Sequence, residues 1–214
     1  VNLERYPQTA ATFPSKVITL ADVERAQARI AGAVRRTPLS ESAVLSRLLG
    51  AEVHLKLENL QFTGSFKERG AASRLRLLTE AERALGIVTA SAGNHAQAVA
   101  LHASRLGVVA TVVMPESTPL VKVQATESHG ARVLLQGSSY DEAADHAAKL
   151  AEQTGAIYVH PFDDLEVIAG QGTIGLELLE QLPELDAVIV PVGGGGLIAG
   201  IATVLRERKP DVRI

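Results

Sequence analysis

The chain has 214 residues, enough for one large domain or two small ones around a sizeable core. A net charge of −3 and an aromatic content of 3% argue against a polynucleotide-binding surface, which needs a basic stripe and stacking rings. The absence of cysteine excludes disulfides, thiolate metal sites and a cysteine nucleophile, and fits a reducing, cytoplasmic setting.

Residues 1–17 mix charge, proline and threonine without an apolar run, so they are expected to be a loose arm and neither a signal peptide nor an anchor. A helix is expected from Thr19, with Val23, Ala26, Ile30 and Ala33 on one face, ended by Arg35-Arg36-Thr37-Pro38. A short helix over 42–49 follows, then a half-buried strand over 51–57 with Val53, Leu55 and Leu57 on one face. From Leu85 onward strands are expected at 86–90, 108–114, 131–136, 156–160 and 187–192. Helices at 95–106, 120–129, 140–153, 167–182 and 197–208 alternate with them. Short β-branched runs between helical segments predict a parallel sheet with helices on both faces, an α/β fold. Residues 210–214 resemble the start of another strand, so the chain reads as incomplete, with strand edges open to self-association as a homo-oligomer. The uncharged stretch 187–205 approaches the length that crosses a ~30 Å hydrocarbon core. Pro191 and four consecutive glycines break it, so no membrane span is expected.

Three segments carry chemistry. Lys67 lies in Thr63-Gly64-Ser65-Phe66-Lys67-Glu68-Arg69-Gly70-Ala71, across a polar turn from a strand; alone it is read most simply as a surface charge. The run Val188-Ile189-Val190-Pro191-Val192-Gly193-Gly194-Gly195-Gly196-Leu197 delivers a glycine loop to a helix start, where backbone N–H groups converge on an anion. The competing reading is a flexible turn. Gly194, Gly196 and Ala199 also match the spacing of a dinucleotide loop, which keeps a nicotinamide-dependent oxidoreductase open. The third segment, Ser91-Ala92-Gly93-Asn94-His95, suits a carboxylate at a helix N-terminus, against the plainer reading of helix capping. The histidines lack metal-ligand spacing, so no metal is expected, and Asp163, Asp164 and Glu177 are read as solvated or capping charges. An amine, a carboxylate seat and a phosphate cradle are together what pyridoxal 5'-phosphate chemistry on a small amino acid requires.

The segments at 63–71, 91–98, 167–177 and 190–200, in this order and spacing, resemble the threonine/serine dehydratase group of fold-type II pyridoxal-phosphate enzymes, over essentially all of 18–214. The resemblance implies that Lys67 is the Schiff-base lysine and the base at Cα, with Phe66 beside the cofactor. It implies that Asn94 bonds the cofactor's ring oxygen and that Ser91, Gly93, Asn94 and His95 line the substrate carboxylate site. The N–H groups of Gly193, Gly194, Gly195, Gly196 and Leu197 would hold the phosphate. It further implies a parallel-sheet large domain from 18–78 and 156–214, incomplete here, with a smaller α/β domain inserted at 79–155. The reaction implied is conversion of L-threonine to 2-oxobutanoate and ammonia, and of L-serine to pyruvate. Ala92 stands where racemases of the group carry a serine, so efficient racemisation is not expected. Phe62 stands where nucleotide-activated relatives carry Lys or Arg, so activation by AMP is not expected either. Against this stand the oxidoreductase and a catalytically silent scaffold.

Overall fold

The computed structural model describes residues 17–214; the arm expected over 1–17 lies, but for Val17, outside them. The first helix, α1 (Leu20–Ile30), begins where Thr19 and Asp22 form a reciprocal capping box, and it buries Val23, Ala26 and Ile30. It stops short of the expected end because Gly32 takes a φ of +73°, turning the chain so that Ala33 packs from the connection. Strand β1 (Leu39–Glu41), helix α2 (Ala43–Leu49) and strand β2 (His54–Lys56) follow, with β1 and β2 antiparallel. After a 3-10 turn at Glu58–Leu60 comes α3 (Lys67–Leu75), and then α4 (Glu80–Leu85) with its own capping box from Thr79 and Glu82.

The central sheet is parallel, in the order β5-β4-β3-β6. Its strands are β3 (Ile87–Ala90), β4 (Ala110–Met114), β5 (Arg132–Leu135) and β6 (Ile157–Tyr158). Helices α5 (Asn94–Arg105), α6 (Leu120–Glu127) and α7 (Tyr140–Thr154) connect them. Side chains alternate across β3 and β4: Ile87, Val112 and Met114 join Ala96, Val99 and Ala103 of α5 on one face. Val88, Ala90 and Val113 meet Ala143, Ala147 and Ala151 of α7 on the other. The chain steps outward from β3 to β5 and then returns along α7 to place β6 on the far side of β3. The order of strands therefore reverses between β3 and β6, and the crevice beyond their C-terminal ends is where open α/β sheets bind ligands.

Helices α8 (Leu165–Gln181) and α9 (Gly196–Arg208) pack with α1 and α3 against one side of this crevice. They approach closely through glycine: a Cβ on Gly170 would overlap the backbone of Arg69 and Gly70, and one on Gly200 would overlap Ile168 and Gly172. The expected buried strand at 187–192 is not formed. Its only pairing among the described residues is a single parallel bridge between Ala187 and Arg213, and Ile189 is 95% exposed. A β-branched run becomes a strand only where neighbours take its N–H and C=O groups, and here it has one neighbour at one position.

Candidate active site

Lys67 is the first residue of α3. Its backbone N–H donates to Ser65 Oγ at 3.2 Å, and its Nζ crosses the crevice to donate to Pro161 O at 2.6 Å, 5.4 Å from the centre of the Phe66 ring. Burial pulls its pKa below the ordinary lysine value, and the first turn of a helix disfavours a cation further. The amine form is thus accessible at lower pH than on a free lysine, as a nucleophile requires.

Lining one cleft with it are Gly193, Gly194, Gly195, Gly196 and Leu197, together with Phe66, Pro161, Phe162, Gln171 and Pro191. The cleft encloses about 290 Å³, at the lower edge of the ~300–1,000 Å³ typical of small-molecule sites. The loop's glycines have separate reasons. Gly195 has a φ of +88° and caps α9, while side chains at Gly194 and Gly196 would run into Phe162, into its ring and its backbone respectively. A Cβ on Gly193 would meet nothing within 4 Å. Among the described residues the N–H groups from Gly193 to Leu197 donate to no acceptor, because three precede the helix and the others lie in its unpaired first turn. Such a row at the positive end of a helix suits a phosphate.

The loop at 91–95 joins the C-terminal end of β3 to α5. Ser91 Oγ accepts the N–H of Gly93 at 3.2 Å, and Asn94, the first residue of α5, is exposed. His95 is 2% exposed, with Nε2 3.3 Å from Val159 O and Nδ1 without a partner. Burial, then the nearby Lys67, pushes its pKa down to about 3, so it is neutral near pH 7. A neutral ring bonded to a carbonyl carries its proton on Nε2, which leaves Nδ1 as an acceptor. Lys67 and His95 both fasten onto the 159–161 segment at the end of β6. Ser91, Gly93 and Asn94 do not line the glycine cleft; of that loop, His95 reaches the Lys67 neighbourhood by a bond to this shared segment.

Beneath the site lies a buried charge network. Arg69, 0% exposed, bonds Glu58 Oε1 and Glu177 Oε1 at 2.7 Å each, and Lys56 Nζ bonds Glu177 Oε2 and Gln181. The reading of Glu177 as a solvated or capping charge is therefore wrong: two cations hold it inside. Asp164 does cap α8, accepting from Glu166 and Val167, while its second oxygen takes Arg74. Sequence reasoning misses Gln171 and Phe162. Gln171 accepts the N–H of Gly70 and leaves its buried Nε2 unpaired at the cleft wall. A polar residue on an otherwise apolar helix face is its signal; Phe162 has none, since only the tertiary fold brings it to the glycines.

The model of the family described as "Pyridoxal-phosphate dependent enzyme" matches residues 30–214. The chain is 52% identical over 198 residues to the L-threonine ammonia-lyase of Thermotoga maritima, covering 92% of this chain and 49% of that protein. It is 51% identical over 207 residues to the catabolic L-threonine dehydratase TdcB of Staphylococcus aureus strain N315, covering 96% and 60%. Among solved structures it resembles maize serine racemase, with a TM-score of 0.90 and 39% identity over 93% of this chain and 60% of that one. It also resembles the processed form of threonine deaminase isoform 2 from Solanum lycopersicum, with a TM-score of 0.84 and 41% identity over 94% and 59%. The chain thus spans about half to three fifths of the length of the curated relatives it matches.

Proposed function

Since the chain belongs to the pyridoxal-phosphate dependent enzyme family, we propose that it serves the dehydration and deamination of L-threonine to 2-oxobutanoate and ammonia, and of L-serine to pyruvate. The observation that carries this reading is one cleft lined both by a partly buried lysine and by a row of free backbone N–H groups. The names of the ammonia-lyase and dehydratase relatives, at about half identity, support L-threonine as the substrate.

Pyridoxal phosphate, when bound, supplies an aldehyde that condenses with amines and a ring that withdraws electrons from the substrate's Cα. The N–H groups of Gly193, Gly194, Gly195, Gly196 and Leu197 would hold its phosphate, with Phe66 beside the ring and Asn94 bonding the ring oxygen. Gln171 Nε2 is a further donor available at the same wall. Ser91, Gly93, Asn94 and His95 would seat the substrate carboxylate at the N-terminus of α5. Lys67 Nζ, released from Pro161 O, would take the proton from Cα and return it to the departing β-hydroxyl. Water is lost across Cα–Cβ; the enamine released then takes up water to give the oxo acid and ammonia. Residues 18–78 and 156–214 would form the cofactor-binding unit around a smaller unit at 79–155. Strand β6 departs from that division, because it completes the sheet begun by β3.

The nicotinamide alternative rests on the glycine loop alone and leaves Lys67 without a task, so nothing further favours it. Product analysis tests the proposal: 2-oxobutanoate and ammonia in equal amounts from L-threonine are expected, and protein that takes up the cofactor on Lys67 yet releases neither product is the silent scaffold instead.

A further inference from the structure

Glu68 follows Lys67 directly on α3 and is 0% exposed. Its Oε1 accepts the N–H of Thr63, the residue that opens the turn leading into Lys67. Its Oε2 faces Nε2 of His102 on α5 at 3.7 Å, beyond hydrogen-bond length, and neither atom has a hydrogen-bond partner. Thr63 Oγ1, also buried, is likewise unpaired. His102 is 2% exposed and lies seven residues, about two turns, beyond His95, so both imidazoles occupy the same stripe of α5. Burial alone would raise the Glu68 pKa, but the His102 imidazole beside it and the bond from the Thr63 N–H outweigh it and hold the carboxyl below its ordinary value.

We propose that Glu68 and His102 are positioning residues for the reaction: the carboxylate, bonded to the Thr63 N–H and set beside the His102 imidazole, locks the 63–66 turn and sets where Lys67 Nζ projects relative to the loop at 91–95. One carboxylate thereby spans the two elements that present the amine and the carboxylate seat. Stability alone does not call for it, since an apolar pair of similar volume usually serves a buried position as well or better. The assignment rests on the role given to Lys67 above. The titratable groups that face Lys67 are His95 and His160, while Asp163 and Asp164 lie behind His160; His102 faces Glu68.

The test is the pH dependence of acylation of Lys67 by an amine-directed reagent. It is followed on its peptide by mass spectrometry in cofactor-free protein, alongside kcat and KM for L-threonine with pyridoxal phosphate. In His102→Leu the turn relaxes and the amine titrates closer to a free lysine, so labelling near pH 8 falls about tenfold, whereas His102→Gln, which keeps an N–H donor, stays within about twofold. Turnover per cofactor-bound chain follows the same order with KM little changed. An unchanged Lys67 labelling curve in folded His102→Leu overturns the proposal, and so does equal loss in the Leu and Gln variants. If His102→Leu fails to fold, Glu68→Gln is judged by the same curve. The curve requires no cofactor, so wild-type protein that never takes pyridoxal phosphate would refute the functional reading while labelling still decides the positioning role.

Discussion

Lys67 differs from an ordinary surface lysine in three ways the structure makes explicit: it starts a helix, it is partly buried, and its amine is tied to Pro161 O. Replacing it with alanine is expected to lower threonine turnover by roughly a thousandfold or more, and arginine will not restore it, because a guanidinium stays protonated. Steady-state kinetics on both variants measures this. Ala92, with no proton to exchange, leads to the expectation that L-serine loses water much faster than D-serine accumulates, which chiral chromatography of a reaction mixture reads directly. Phe62 is stacked by the guanidinium groups of Arg35 and Arg105 at 4.4 Å each, and addition of AMP is expected to leave the rate unchanged. His95 carries a pH dependence whose sign is fixed by its burial. Its pKa falls from the ordinary 6.5 to about 3 on folding, so the unfolded chain binds the extra proton between those values. Stability is full above about pH 6.5 and is lost as pH falls towards 3, by an amount on the order of a few kcal/mol. Urea titrations from pH 7 to 4 should show this slope flattened in His95→Gln.

At the scale of elements, the glycine loop shows how far local sequence reaches. Four glycines before an apolar helix point to an anion cradle, and the free N–H row agrees with that. What sequence does not supply is Phe162, whose ring lies where a Gly194 side chain would be, so part of the glycine requirement is packing. Gly194→Ala is expected to weaken pyridoxal phosphate binding about tenfold, and Gly194→Ala with Phe162→Ala to recover most of it, as coupled neighbours do. Fluorescence titration of the cofactor into both proteins decides this. The helices and strands from 87 to 181 are legible because apolar period and caps agree there, as Ser139 and Asp164 illustrate at α7 and α8. The strand expected at 187–192 fails because strand formation depends on neighbours as well as on a segment's own residues. Strand β1, three residues long, and α4, six residues long with no buried residue, give too little periodicity to be seen.

Across the whole molecule, the Glu58–Arg69–Glu177–Lys56 network joins β2, α3 and α8 beneath the cleft, so the element bearing Lys67 is fastened through charge. No spacing rule reveals it, since its members lie up to 121 residues apart. Arg69→Met leaves Glu58 without a cation and Glu177 with Lys56 alone, and is expected to cost about 3–5 kcal/mol, measurable as a lower urea midpoint. Above this network the reversal of strand order between β3 and β6 brings the His95 loop and the Lys67 helix to one crevice, and the glycine loop before α9 lines the same cleft as Lys67. No helix among the described residues is long and apolar enough to cross a membrane. The central claim is that this crevice takes pyridoxal phosphate on Lys67. Borohydride reduction of the protein with the cofactor, followed by peptide mapping, should place the pyridoxyl label on Lys67 and remove it in Lys67→Ala; label on another lysine, or none in folded protein, would contradict the account.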